Sequence, residues 1–297
     1  DKGQLRAINP EAGYFGVVPG TNEKTNKNAY EMIQKDTIFT NIATTKNNDP
    51  WWEDKNNGSP FKDWQGKIYN SSSGPAAHPN SRFTVSAKNN NSYSDLADAP
   101  HGVPISAIVF GGRRKELAPL VHQAKNWNHG VLIGASVASE TTAASTGETG
   151  VVRRDPMAMQ PFCGYNFADY WQHWLSFNKK SNNLPKIFHV NWFRQDSNGK
   201  FLWPGFGENL RVLRWIIDRC ENKITAKETP IGYLPKEDDI DVKDLEIKTS
   251  TMNELLEIHN DKWLKEMNDV RKYLKSFGKR LPQGLKDEYK RIISELS

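Results

Sequence analysis

The stretch 186–209, KIFHVNWFRQDSNGKFLWPGFGEN, decides how the chain is read. Lys186 to Trp192 is a short apolar run of the kind that forms a buried strand. The residues after Trp192 suit neither strand nor helix. Trp192, Phe193, Phe201, Trp203 and Phe206 crowd a segment that also holds Asp196, Ser197, Asn198, Gly199, Pro204, Gly205 and Gly207, residues that make turns. A loop of flat rings offers stacking surface, and Asn209 adds an amide donor and a carbonyl acceptor at its edge. A purine fits that description, since stacking on an aromatic contributes about 1 to 3 kcal/mol per base. The plainer alternative is that the rings fill the underside of a domain and that Asn209 caps the next helix.

Working outward, the run LRVLRWIIDRC after Asn209 is helical in period, with Leu210, Leu213 and Ile217 on one face. Upstream, Ile105 to Phe110 is a continuous apolar strand that stops at Gly111-Gly112-Arg113-Arg114. Ligands of open α/β sheets bind at such strand ends. Glycine admits close approach there, and paired guanidiniums suit phosphate or carboxylate oxygens. Taken alone, GGRR is also an ordinary solvated turn. The pattern between these landmarks predicts a helix around Leu117 to Trp127, a second buried strand over Gly130 to Val137, and a helix over Gly164 to Phe177. Asn28 to Lys35 reads as a short helix and Thr37 to Ala43 as a strand. Thr44 to Ser73 reads as a small sheet or long loop with Trp51, Trp52 and Trp64 as anchors. Thr251 to Lys275 and Leu285 to Leu296 read as helices that cover a sheet.

The whole is 297 residues with 37 % hydrophobic and 25 % charged residues, a soluble globular composition. No apolar run approaches the roughly 20 residues of a bilayer helix, so a membrane partner is not expected. Forty basic against 35 acidic residues leave +5, spread rather than clustered. That excess suits a phosphorylated small molecule and does not demand nucleic acid. Cys163 and Cys220 stand far apart, without CxxC spacing, as expected of two reduced thiols. There is no GxxxxGK[ST] phosphate loop and no HExxH spacing. His189, among apolar neighbours, reads as a satisfied core histidine.

Several uncommon words then coincide in one order. Phe201-Leu-Trp-Pro-Gly-Phe-Gly-Glu-Asn209, preceded by His189-Val-Asn-Trp-Phe193, resembles the guanine-binding segment of the GTP-dependent phosphoenolpyruvate carboxykinases. The likeness extends through Ala7-Ile-Asn-Pro-Glu11, His78-Pro-Asn-Ser-Arg-Phe83, Phe110-Gly-Gly-Arg-Arg114, Gly164-Tyr-Asn166 and Pro230-Ile-Gly-Tyr233. It implies an α/β fold: the mixed-sheet nucleotide-binding lobe of that family, with C-terminal covering helices. On that reading residues 1–250 form an incomplete C-terminal nucleotide- and substrate-binding lobe whose upstream half is missing. Residues 251–297 are a helical segment packed on the same lobe.

The resemblance also implies roles. Asn80, Ser81, Arg82 and Phe15 would bind substrate, with Arg82 also reaching the transferring phosphoryl group. Arg113 would meet the nucleotide phosphates, and Phe193, Phe201, Phe206, Gly207, Glu208 and Asn209 would hold GTP. A lid would comprise Ser139, Glu140, Thr141, Thr142, Ala143, Ala144, Ser145, Thr146, Gly147, Glu148, Thr149 and Gly150. At its root stands Ala138, where the family usually has arginine, which puts the lid's closing contacts in doubt. Cys163 likewise replaces a family phenylalanine, a change expected to matter only for packing. No catalytic residue or metal ligand is expected in this stretch, because the family's lie upstream of Asp1. The intact enzyme would be a monomer using Mn2+ and Mg2+ to convert oxaloacetate and GTP to phosphoenolpyruvate, carbon dioxide and GDP in gluconeogenesis. The expected compartment is the cytoplasm, with the mitochondrial matrix as alternative. This chain by itself would be inactive, and the other reading is a guanine-nucleotide-binding module without catalysis.

Overall fold

A computed structural model of the chain describes residues 3–55, 57–141 and 150–297. They fall into two compact units, Arg6–Val103 and the remainder, Asp1–Leu5 with Pro104–Ser297.

The larger unit is built on a five-stranded mixed sheet. Its strand order is Lys227–Thr229, Gly232–Leu234, Val121–Gln123, Lys186–Val190, Ala107–Gly111. Lys186–Val190 runs parallel to Ala107–Gly111, with Phe188 opposite Val109, and antiparallel to Val121–Gln123, with His189 opposite His122. Side chains of a strand alternate between faces, and two cores result. Ile187 joins Phe110, Trp127, Trp171, Met267, Val270, Leu285 and Ile292 on one side. Phe188 and Val190 join Leu120, Trp203, Val212, Trp215 and Leu255 on the other. Helices Trp127–Ala135, Phe167–Ser176, Asn260–Lys275 and Gln283–Leu296 contribute to the first core, and Asn209–Cys220 and Thr249–Leu256 to the second.

Two expectations fail between residues 117 and 137. Val121–Gln123 is a strand in place of the expected helix, and Trp127–Ala135 is a helix in place of the expected second strand. Nearly every residue of this helix is buried, so it shows no polar face, and a short apolar run without periodicity reads equally as buried strand. Local chemistry decides it: the Asn126 side chain caps the helix by accepting a hydrogen bond from His129 N. A Cβ at Gly130 would collide with Ile187 and one at Gly134 with Phe110, so the two glycines let the helix lie close on the sheet.

A smaller correction concerns Asn209–Cys220. Leu210, Leu213 and Ile217 are exposed, and the buried face is Val212, Trp215 and Ile216. The helix carries apolar residues on more than one face, and the one that holds the large indole of Trp215 wins the core.

The unit Arg6–Val103 contains a three-stranded antiparallel sheet in the order Gly13–Val17, Arg82–Ser86, Thr37–Thr40. Its core is Val18, Tyr30, Met32, Ile33, Trp52, Ala77, Phe83 and Val85. Helix Lys27–Met32 is capped by Asn26, and the Trp52 indole donates to Thr21 O at 2.9 Å. Ala43–Thr44 and Pro50–Trp51 pair as a second small ladder within the turn-rich excursion.

Candidate functional site

In the larger unit, the parallel strands Ala107–Gly111 and Lys186–Val190 end side by side, and the chain beyond each one builds the site. Asn191 joins the two. This buried amide accepts from Arg114 N at 3.3 Å and from Phe193 N at 3.2 Å through Oδ1. Its Nδ2 donates to Arg114 O at 2.9 Å and Ala118 O at 3.0 Å. The arginine turn and the start of the aromatic loop thus hang on one side chain. Sequence reasoning misses Asn191; its signal there is a lone amide at the end of an apolar strand.

The turn is pinned from its other side by Ala138–Glu140. Arg113 N donates to Ser139 Oγ at 3.1 Å, Lys115 N to Glu140 Oε1 at 2.8 Å, and Glu140 N to Arg113 O at 2.8 Å. A Cβ on Gly112 would strike Ala138 O, so this packing requires glycine there. Ala138–Glu140 pairs antiparallel with Val152–Arg154, and Thr141 N donates to Val151 O at 2.9 Å. Ser139, Glu140, Thr141 and Gly150 of the expected lid therefore lie at a ladder base. Thr142 to Thr149 lie outside the described residues.

The two arginines of the turn part company. Arg114 turns inward and grips Glu266 with both guanidinium nitrogens, at 3.1 and 2.9 Å, and Arg154 joins the same carboxylate at 2.7 Å. Burial opposes the charge on Glu266, but the two guanidiniums outweigh it and hold its carboxyl below the ordinary range. Arg113 meets no carboxylate among the described residues. Its guanidinium lies over the Phe193 ring, 3.9 Å from the centroid, and Phe201 meets that ring edge-on at 6.2 Å. A guanidinium held on an aromatic face keeps its outward N–H groups for an anion.

The remaining loop residues sort by exposure. Phe201 is 48 % and Phe206 80 % exposed, whereas Trp203 is buried at 1 % and belongs to the core. Trp203 donates its indole N–H to Asn209 Oδ1 at 2.9 Å. The alternative reading of Asn209 as a helix cap does not hold: Asn209 is the first residue of its helix, Glu208 occupies the capping position, and neither side chain caps it. The Asn209 amide is oriented with its Nδ2 donors uncommitted by Trp203. Glu208 binds Arg211 at 2.6 Å, and Gly207 is exposed.

Phe15, Asn80, Ser81 and Arg82 belong to the other unit. Strand register places Val17 opposite Arg82 and Phe15 opposite Thr84, so Phe15 and Arg82 occupy adjoining strands. Phe15 is 69 % exposed, so its ring lies outside the core of this unit. Ser81 is fully buried with no partner for its hydroxyl, and Asn80 N donates to His78 Nδ1 at 3.0 Å.

His189 is buried, as expected, but it is not satisfied: its Nδ1 and that of His122 both lack partners, and the rings stack at 5.2 Å. Burial and the nearby Arg114 charge push His189 down to about 4, and burial with Arg291 and Lys125 pushes His129 to about 3. Cys163 and Cys220 are free thiols. Among the described residues no three His, Cys, Asp or Glu side chains gather as metal ligands, and no helix is long and apolar enough to cross a membrane.

Comparison with known proteins places the chain in a family. The family model described as the phosphoenolpyruvate carboxykinase C-terminal P-loop domain covers residues 1–295. Proteins named phosphoenolpyruvate carboxykinase (GTP) align along the chain. The one from Chlamydia abortus is 51 % identical over 99 % of this chain and 49 % of its own length. That from Anaeromyxobacter dehalogenans is 51 % identical over 96 % and 48 %, and that from Chlamydia muridarum 48 % over 100 % and 50 %. The chain spans about half the length of the curated relatives it matches. With a mixed sheet, an arginine turn and an aromatic loop meeting at its parallel strand ends, and a family match over nearly every residue, the chain belongs to the GTP-dependent phosphoenolpyruvate carboxykinases.

Proposed function

We propose that this chain supplies the guanine-nucleotide and substrate contacts of an enzyme that converts oxaloacetate and GTP to phosphoenolpyruvate, carbon dioxide and GDP. The observation that carries the proposal is the guanidinium of Arg113 lying 3.9 Å over Phe193, whose ring the half-exposed Phe201 meets edge-on. A base stacks on the rings, the Nδ2 of Asn209 donates at its edge, and Gly207 and Glu208 complete the loop that surrounds it. The phosphates then extend toward Arg113.

Residues 1–250 carry the nucleotide and substrate contacts, and residues 251–297 add helices to the cores of the larger unit. Arg82, Asn80 and Phe15 bind oxaloacetate, and the fully buried Ser81 fixes the chain between Asn80 and Arg82. In the reaction, the bond to the departing carboxylate breaks and its electron pair becomes the enolate of pyruvate. The enolate oxygen attacks the γ-phosphorus, and GDP leaves. Such a transfer needs alignment and charge neutralisation more than covalent help. Arg113 supplies that neutralisation at the phosphates. The segment 139–150 shields the enolate from water, which would otherwise protonate it to pyruvate. The described residues offer no ligand set for manganese or magnesium, so no step is assigned through a metal here. The relatives are bacterial, and the compartment we propose is the cytoplasm.

Calorimetry of the 297-residue chain with GDP and with ADP tests the base reading. Saturable binding of GDP and not ADP, lost in Phe193→Ala, is the expected result. Equal binding of both nucleotides, or unchanged affinity in Phe193→Ala, rejects it. The chain alone is expected to release no carbon dioxide from oxaloacetate above the spontaneous rate, with or without manganese.

A further inference from the structure

Arg194 is next to Phe193 in sequence but faces elsewhere. It is 5 % exposed, its Nη1 is buried without a hydrogen-bond partner, and no carboxylate lies within ion-pair distance among the described residues. Its backbone is fixed: Arg194 O accepts from Leu202 N and Gln195 N donates to Lys115 O, both at 2.9 Å. A buried guanidinium has five N–H donors and is among the costliest groups to leave unmatched. Burial accordingly lowers its proton affinity, partly offset by the charges of Glu254, Glu257 and Glu116.

Those three carboxylates do not satisfy it. Glu116 is paired with Lys262 at 3.5 Å and Glu257 with His259 at 3.3 Å. Glu254 acts on Arg194 only through space, from beyond ion-pair range. Arg194 instead lines a cleft of about 1170 Å³, whose wall also carries Lys115, Lys227, Lys236, Lys262 and these acidic residues.

We infer that this cleft is a binding site for a small monoanionic carboxylate, received by the guanidinium of Arg194. The planar carboxylate matches the guanidinium fork, and a charge-assisted bidentate pair satisfies donors that the protein leaves open. Lys115, Lys227, Lys236 and Lys262 offset the acids of the lining, so the cleft offers a monoanion the one buried guanidinium and holds no surplus positive charge for a dianion. A phosphate dianion or a polyphosphate is therefore disfavoured where a carboxylate is accepted. The site requires no nucleotide and shares no side chain with the surface built on Arg113 and Phe193.

The test uses sodium acetate as probe, with sodium phosphate as the competing chemistry, both at constant ionic strength and without nucleotide. The thermal midpoint of the wild-type chain is expected to rise saturably with acetate. Arg194→Met, which keeps the bulk and removes the charge, is expected to weaken the apparent acetate affinity about tenfold or more. The variant also removes an unmatched buried charge, so its midpoint without acetate is expected to equal or exceed that of the wild type. Acetate acting equally on both proteins overturns the site, and phosphate binding more tightly than acetate overturns its carboxylate character. Should Arg194→Met not fold, arginine side-chain NMR of the wild type reads the site directly. One guanidinium signal moving saturably with acetate supports it, and none moving rejects it.

Discussion

Two groups of aromatic side chains in the larger unit have opposite fates. Trp127, Trp171, Trp174, Phe177 and Phe277 sit on or beside helices and find one another. Trp171 is fully buried with Phe277 edge-on at 4.7 Å, and Trp127 stacks on Trp174 at 5.6 Å while donating to Trp174 O. Phe193, Phe201 and Phe206 sit on turns, where glycine and proline interrupt any regular spacing; Phe193 meets Phe201 and carries Arg113 on its face, while Phe201 and Phe206 are exposed. Helical period brings rings to a common stripe and hides them, whereas turns hold rings apart and leave them to a ligand.

The sharpest way to break this contrast is to delete one ring from each group. Trp171→Ala should lower stability by about 3 to 5 kcal/mol, read by denaturant unfolding, while GDP affinity per folded molecule is unchanged. Phe193→Ala should do the reverse, weakening GDP binding by about 5- to 150-fold in calorimetry with little change in unfolding midpoint. Comparable stability losses from both would erase the distinction.

A second measurement sharpens the buried side through pH. His129 and His189 take up protons in the unfolded chain near their ordinary value of 6.5 but in the folded protein only near 3 and 4. Between those limits the unfolded state binds more protons, so their contribution is complete above 6.5 and is lost as pH falls toward 4 and then 3. Each group should steepen the decline by about 1.4 kcal/mol per pH unit. Urea unfolding from about pH 7 to about pH 5 should show this slope, and His189→Phe should remove one proton's share of it. At the small end, Arg280→Gln, which breaks an exposed pair with Asp169 at 2.9 Å, should change stability by no more than about 1 kcal/mol.

How much of this is legible in the sequence depends on the same division. The strand Lys186–Val190 and the loop beyond it can be read because an apolar run and a cluster of turn residues are both local signals. The family words name Arg113, Phe193 and Asn209, and the structure gathers Arg113 with Phe193 and Phe201. Trp127–Ala135 is mistaken for a strand because a helix buried all round carries no polar face to set its period. The indole that orients Asn209, the amide of Asn191 and the unmatched charge of Arg194 are invisible along the chain. Each depends on which atoms meet across the fold, and the order of residues does not contain that.

Asn191 carries a last implication. One carboxamide serves as the common reference point for the turn that bears Arg113 and the loop that bears Phe193. The guanidinium of Arg113 and the ring of Phe193 are therefore set against the same atoms, and the distance between them is fixed by one side chain. A change there would not displace one and spare the other; it would shift both at once.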